Sequence, residues 1–299
     1  MLSFILTALV FVPGLGKTVN GARRWLSLGG QTIQPSEFLK VGYIIFSAAY
    51  FAGLKEKINN WRYGLLPFLA ILLLTLSLFA LQPDMDGAMI TALCGGIIFF
   101  VAGAKWRDIL IISLCGIIAA GVLIVWKPYI KDRLYNYIYP AENSLGIGYQ
   151  LQQSLIAIGS GGLTGKGFGQ SVQKFKFLPE TTSDSIFAIA GEEFGFVGAT
   201  TIIALFLVLM VRGLRIALKS PDKFNGLLVI GLVILLVSQS LVNIASMIGV
   251  FPLSGLPLIF FSKGGTSLLV AFLAVGLILN ASKSARGQRI IKTQSINSI

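Results

Sequence analysis

Seven apolar runs constrain this chain more than any other feature. They fall at about Phe38–Leu54, Leu65–Leu81, Ala88–Ala104, Ile109–Trp126, Ile186–Val211, Leu227–Val250 and Ser267–Ala281. Each is long enough to cross, or nearly cross, the roughly 30 Å hydrocarbon core of a bilayer. An eighth run, Met1–Val12, would cover only about 18 Å as a helix. It lacks a basic leading region and a small-residue cleavage site, so it is a poor signal peptide. Only 12% of the 299 residues are charged, against roughly 25% in soluble domains. The expected fold is an all-α, polytopic transmembrane bundle of about eight spans, the first one truncated, forming a single membrane domain over 1–299.

Charge fixes the orientation. The net charge is +12, which in a soluble chain would suggest nucleic acid. With the N-terminus cytoplasmic, however, the inner loops and tail hold thirteen basic and three acidic residues, among them Lys55, Lys57, Arg62, Lys105, Arg107, Arg212 and Arg215. Short positive loops on one face orient a membrane protein, so most of the charge is topological and no nucleic-acid partner is expected. The C-terminus is then cytoplasmic. The outer side still carries eleven basic and nine acidic residues, more than insertion requires.

The sequence contains no histidine, which excludes Ser-His-Asp triads, Cys-His dyads and His-ligated metal sites. Cys94 and Cys115 lie inside apolar runs and read as small buried thiols. Any proton transfer must use a carboxylate, a lysine, a tyrosine or water.

Two outer segments stand out. Pro13–Pro35 is rich in glycine, including Gly21, and carries Lys17, Arg23, Arg24 and Trp25. It fits an interfacial loop with a tryptophan anchor, or a site for an anionic head group. The next run opens with Pro35, Ser36 and Glu37, a good helix start, with Lys40 one turn inside. The second segment, 127–185, is a large extracytoplasmic loop between the fifth and sixth spans. Tyr149–Ile158 has near-helical periodicity and suits a short interfacial helix. Gly159–Gly169 follows with six glycines, which fits either a phosphate cradle or a flexible connector. Lys166, Lys174 and Lys176 give this loop a cationic side, and Phe175 and Phe177 an apolar one; the alternation over Lys174–Phe177 fits a strand-like edge or an amphipathic lip at the membrane surface.

The loop ends in Glu180 and Asp184, and Glu192 and Glu193 follow inside the next apolar run. A charge near a bilayer centre costs about 2.5–3.5 kcal/mol, so these acids are either paired or do chemistry. Asp184 fits a helix-starting acid held by the helix dipole or a general base. A helix N-terminus and lysines lower a carboxylate's pKa and apolar surroundings raise it, so a base near neutrality needs burial. Glu192 and Glu193 lie about 12–14 Å further along the helix. They are expected to pair across the bundle, with Lys40 as the natural partner. Asn243 and Gln239 share one face of the Leu227–Val250 span, where interhelical hydrogen bonding is expected. Gly249–Gly265, with Pro252 and Pro257, reads as a re-entrant outer loop, tolerable only when buried in protein.

Taken together, VNGARRWL with QPSEFLK (Val19–Leu26 and Gln34–Lys40), PDMDGA (Pro83–Ala88), Gly148–Glu180 and Ser240–Leu269 resemble the SEDS family (shape, elongation, division and sporulation) along nearly the whole chain. Ser171-Val172-Gln173-Lys174 is more similar to the FtsW-type division branch than to the RodA-type elongation branch. SEDS members usually have ten membrane helices. The resemblance thus implies that the first two and part of the third are not in this sequence.

The resemblance implies a lipid II polymerase in the bacterial cytoplasmic membrane, with its active site facing outward. A sugar hydroxyl would attack a second lipid-linked disaccharide and expel polyprenyl pyrophosphate. Asp184 matches the family's essential aspartate, here within Ser183-Asp184-Ser185-Ile186-Phe187-Ala188, and becomes the expected general base. Alternatively it holds a divalent cation, Mg²⁺ or Mn²⁺, against the pyrophosphate. No organic cofactor is expected. Lys40, Arg23, Arg24, Gln173, Lys174 and Glu180 are expected to bind substrate, and Glu37, Glu192, Glu193 and Asn243 to shape a polar cavity. Implied partners are a class B penicillin-binding protein and other division or elongation membrane proteins. Two departures stand out: Ser185 and Lys263 replace family aromatics. A precursor flippase and a non-catalytic scaffold are the rival functions.

Overall fold

The computed structural model describes residues 2–19, 22–139, 147–175 and 177–296, with the side chains of Val19, Leu28, Ile147 and 284–296 outside the description. Lys176 and Gly21 therefore fall outside the described residues. Each apolar run becomes a helix, and the helices extend into the polar residues beside them. They are α1 (Leu2–Ala8), α2 (Pro35–Leu54), α3 (Leu65–Leu81), α4 (Met85–Val101) and α5 (Trp106–Trp126). After α6 (Pro128–Ile138) and α7 (Ile147–Ser160) come α8 (Ile186–Leu218), α9 (Lys223–Met247) and α10 (Gly265–Ile296). Among the described residues five helical segments, at α2, α5, α8, α9 and α10, are long and apolar enough to cross a membrane, and α3 and α4 are shorter apolar helices. The protein is thus a multi-span helical membrane bundle.

By packing, the chain divides into two compact units. One comprises Met1–Ile111, Leu209–Leu236 and Gly265–Ile299, the other Ile112–Val208 and Val237–Gly264. In the first, Phe51, Phe68 and Phe99 form an aromatic core between α2, α3 and α4, with Phe68 and Phe99 stacked at 4.7 Å. Asp84 caps α4 by accepting the Gly87 N–H at 3.1 Å, satisfying one of the donors that a helix start leaves open.

The all-α bundle carries one small addition in this unit. Pro13–Pro35 holds a three-stranded antiparallel sheet of β1 (Gly16–Val19), β2 (Ala22–Leu28) and β3 (Gln31–Ile33). Leu28 pairs with Gln31 across Gly29 and Gly30, whose φ angles are 57° and 86°. Two central residues with positive φ match the twist of a tight hairpin, and glycine adopts them without steric cost.

In the second unit the described residues of the large loop are structured. The helix expected over Tyr149–Ile158 is α7, and its Ala157 and Ile158 pack with Leu178, Ala188 and Ile189 at the start of α8. The 249–264 stretch is irregular, and Ser254, Leu256, Leu258, Ile259 and Ser262 within it are buried. Non-helical backbone at membrane depth needs such cover.

Candidate active site

Asp184 lies in the turn before α8, two residues ahead of its first helical residue, and is half-buried. Ser183 Oγ donates to its Oδ1 at 2.9 Å. The turn is tight: Glu180, at φ 49°, accepts the N–H groups of Ser183 and Ser185, each at 3.1 Å. The Glu180 side chain is exposed beside it. Ser185, which replaces a family aromatic, is buried; its hydroxyl donates to Pro179 O at 2.9 Å and accepts from Gln150 Nε2 at 3.0 Å. The departure thus ties α7 to the Asp184 turn. Lys263, the other departure, has an exposed side chain, and its N–H donates to Thr182 O at 2.8 Å.

Further along, α8 is broken. Gly195 has φ 66° and ψ −162°, so the helix is two segments meeting at one non-helical residue. A break leaves carbonyls unpaired on one side and N–H groups on the other. The glycine-rich loop supplies both. Lys166 and Gly167 donate to the carbonyls of Glu192 and Glu193, both at 3.0 Å, and Phe196 and Val197 donate to those of Gly162 and Leu163 at 2.9 and 3.1 Å. The backbones approach so closely that a Cβ on Gly165 would lie 2.1 Å from Glu193 O. Of the two roles open to this loop, flexible connector or phosphate cradle, neither describes these N–H groups. They complete a helix.

The two glutamates at the break are satisfied by the same loop. Glu192, with no exposure, accepts from Lys166 Nζ at 2.7 Å, Ser171 Oγ at 2.5 Å, and the N–H groups of Val172 and Gln173 at 3.2 Å each. Glu193 accepts from Lys174 Nζ at 2.9 Å and from Ser171 N–H at 3.3 Å. Buried charges persist only when paired and hydrogen-bonded, and this arrangement does both.

Three expectations change as a result. Glu192 and Glu193 take Lys166 and Lys174 as partners, while Lys40 pairs with Glu37 at 2.7 Å, one turn away on α2, both side chains being buried. An i, i+3 partner on the same helix face needs no long-range placement. Lys174 is engaged by Glu193 and the Gly169 carbonyl, so its charge is already countered. The alternating Lys174–Phe177 segment is a turn where described, not a strand edge.

In the unit that carries the sheet, Arg24 donates to the carbonyls of Gln82 and Pro83, just past α3, at 3.0 Å for Gln82. Cationic donors suit helix C-terminal carbonyls. Arg23 is exposed on β2. Asn243 is fully buried, and its amide donates to Asp184 O at 2.8 Å and Leu256 O at 2.7 Å. Ser171 and Ser262 were legible only as parts of motifs; a hydroxyl in an apolar chain carries no signal of its own. Among the described residues no three His, Cys, Asp or Glu side chains cluster as a metal site.

A sequence model of the FtsW/RodA/SpoVE family, described as a cell cycle protein, matches residues 1–287. The chain belongs to this family. SEDS relatives include stage V sporulation protein E of Bacillus subtilis (strain 168), 40% identical over 287 residues, covering 96% of this chain and 78% of the relative. A probable peptidoglycan glycosyltransferase FtsW of Trichlorobacter lovleyi is 39% identical, covering 94% of this chain and 74% of the relative. Among solved SEDS-like structures, a chain from work on the structural coordination of polymerization and crosslinking by a peptidoglycan synthase complex superposes with TM-score 0.78 at 29% identity. It covers 95% of this chain and 79% of that one. The Thermus thermophilus rod shape determining protein RodA gives TM-score 0.67 at 28% identity, over 95% and 76% of the two chains. The motif resemblance and the fold therefore lead to the same SEDS membership.

Proposed function

We propose that this chain is a peptidoglycan glycosyltransferase that polymerises lipid II, with Asp184 as its general base. The observation that carries the assignment of Asp184 is its setting. A half-buried carboxylate stands in the turn just ahead of α8, and Glu192 and Glu193 further along are held by Lys166 and Lys174. With no histidine in the chain, a positioned carboxylate is the available group for taking the acceptor hydroxyl proton. As that oxygen attacks the anomeric carbon of the second lipid-linked sugar, the bond to the pyrophosphate breaks and negative charge grows on the leaving group. Positive charge must meet it. Lys263 has an exposed ammonium beside the Asp184 turn and is our candidate for that contact, with Gln173 and Glu180 on the same unit orienting the sugars. Arg23, Arg24 and Lys40 stay in the proposal on the strength of the family resemblance.

A divalent cation fits as an addition and not as a resident cage. Mg²⁺ is commonly bound by one or two carboxylates together with substrate phosphates, and Asp184 offers one carboxylate. Bound there, the ion would neutralise charge on the pyrophosphate.

The proposal extends to topology: eight spans, the Asp184 turn at the outer face of the bacterial cytoplasmic membrane, and the C-terminus inside. It also includes a class B penicillin-binding protein as the crosslinking partner, alongside other cell-wall or division proteins. The relative solved as a synthase complex coordinating polymerization with crosslinking supports that pairing. A flippase also needs a polar cavity but not a base. Purified protein and an Asp184→Ala variant are incubated with lipid II and Mg²⁺. Glycan polymer from the wild type alone is expected. Polymer from both removes the base, and lipid translocation without polymer from either supports the flippase.

A further inference from the structure

Asp184 stands outside the regular ladder of α8, so what holds its turn decides where the carboxylate points. Three consecutive carbonyls of that turn are each taken by a donor from the Asn243–Lys263 stretch. Lys263 N–H donates to Thr182 O at 2.8 Å, Ser262 Oγ to Ser183 O at 2.6 Å, and Asn243 Nδ2 to Asp184 O at 2.8 Å. The two side chains are themselves fixed. The Asn243 amide also donates to Leu256 O at 2.7 Å, and Ser262 Oγ accepts the Leu258 N–H at 2.8 Å. Asn243 Oδ1 has no partner among the described residues. Turning the amide over would set that oxygen against two carbonyl oxygens, so the donors determine its orientation.

Main-chain carbonyls carry no chemistry for the reaction, yet all three are anchored by one stretch of chain. A misplacement of about 1 Å in a reacting group can cost roughly 100-fold in rate. A three-point grip on the residue itself and the two before it removes that freedom.

We propose that Asn243 and Ser262 are positioning residues for glycosyl transfer, fixing the main chain of the Asp184 turn so that the carboxylate meets the acceptor hydroxyl. The inference rests on the reading of Asp184 as general base. Neither residue touches the reacting atoms, so their loss belongs in kcat and not in KM.

Full-length protein in liposomes is assayed for initial polymerisation rates across lipid II concentrations. The variants are Asp184→Ala, Asn243→Asp, Ser262→Ala and Ser262→Thr, each with its thermal unfolding midpoint measured. Asn243→Asp keeps the shape but removes both donors. It is expected to lower kcat roughly 10- to 100-fold with KM within about threefold. Ser262→Ala should lower kcat about tenfold, and Ser262→Thr, which keeps the hydroxyl, should stay within about twofold of wild type. Ser262→Ala leaves the other two anchors in place, so it decides the matter even if Asn243→Asp folds poorly. With Asp184→Ala inactive, an unchanged kcat in folded Ser262→Ala overturns the inference. So does a loss that Ser262→Thr fails to restore, or one carried by KM. An active Asp184→Ala instead overturns the base reading.

Discussion

Glu192 and Glu193 are adjacent in sequence but unequally loaded. Glu192 is wholly buried and gathers an ammonium, two hydroxyls and two main-chain N–H groups, whereas Glu193 has Lys174 and the N–H groups of Gly169 and Ser171. Removing one partner of a buried pair typically costs about 3–5 kcal/mol, because the other charge is stranded. Glu192→Ala should therefore fall in that range, and Glu193→Ala, whose carboxylate is the more accessible of the two to water, should cost less. Unfolding midpoints in a single detergent check this, and equal losses would show that the two acids share one load. At this scale the sequence was informative that the Glu192–Glu193 pair must be neutralised, since it lies inside an apolar run. Its choice of partner was not legible. Lys40 has Glu37 one turn away on its own helix, and Lys166 belongs to a loop whose path no periodicity reports.

The break in α8 is the feature of the elements that sequence reading does least well. Gly191, Gly195 and Gly198 look like ordinary small residues in a membrane helix, and the loop that completes the ladder starts some thirty residues earlier. The helices themselves were legible because apolar length alone reports them. The sheet had a signal in the dipeptides Asn20-Gly21 and Gly29-Gly30, which favour two-residue hairpins; short strands with adjacent arginines hid it. The break predicts a sharp division among glycines. Gly165→Ala and Gly195→Ala combine a positive φ, 82° and 66°, with a Cβ placed 2.1 and 2.3 Å from backbone atoms. Both should abolish or severely reduce folded protein. Gly159→Ala, inside α7 with nothing within 4 Å of its Cβ, should be neutral or stabilising by up to about 1 kcal/mol. Yield of monodisperse protein on gel filtration distinguishes them, and normal yields of Gly195→Ala would contradict the account of the break.

Across the whole molecule, apolar length and charge mark a membrane bundle, and the described part of 127–185 packs against the start of α8. The proposed orientation, with the positive loops inside, can be tested directly. In a Cys94→Ala/Cys115→Ala background, a membrane-impermeant maleimide applied to spheroplasts should label Thr182→Cys, an exposed position two residues from Asp184. Lys57→Cys, exposed between α2 and α3, should react only after permeabilisation. The reverse pattern would place the Asp184 turn on the wrong side for an outward-facing polymerase. Ancestry was legible across nearly the whole chain because its motifs follow the family order, and the match over residues 1–287 agrees.

The central claim is that the carboxylate of Asp184, and not merely its place in the turn, drives polymerisation. Asp184→Asn tests it most directly. The amide oxygen can still accept from Ser183 Oγ, and the main-chain anchors from Asn243, Ser262 and Lys263 are untouched. The initial rate of glycan-strand synthesis from lipid II is predicted to fall by a factor at the upper end of the 10²–10⁴ range typical of general-base loss, with lipid II binding within about threefold. A variant that retains more than about a tenth of the wild-type rate would contradict the account.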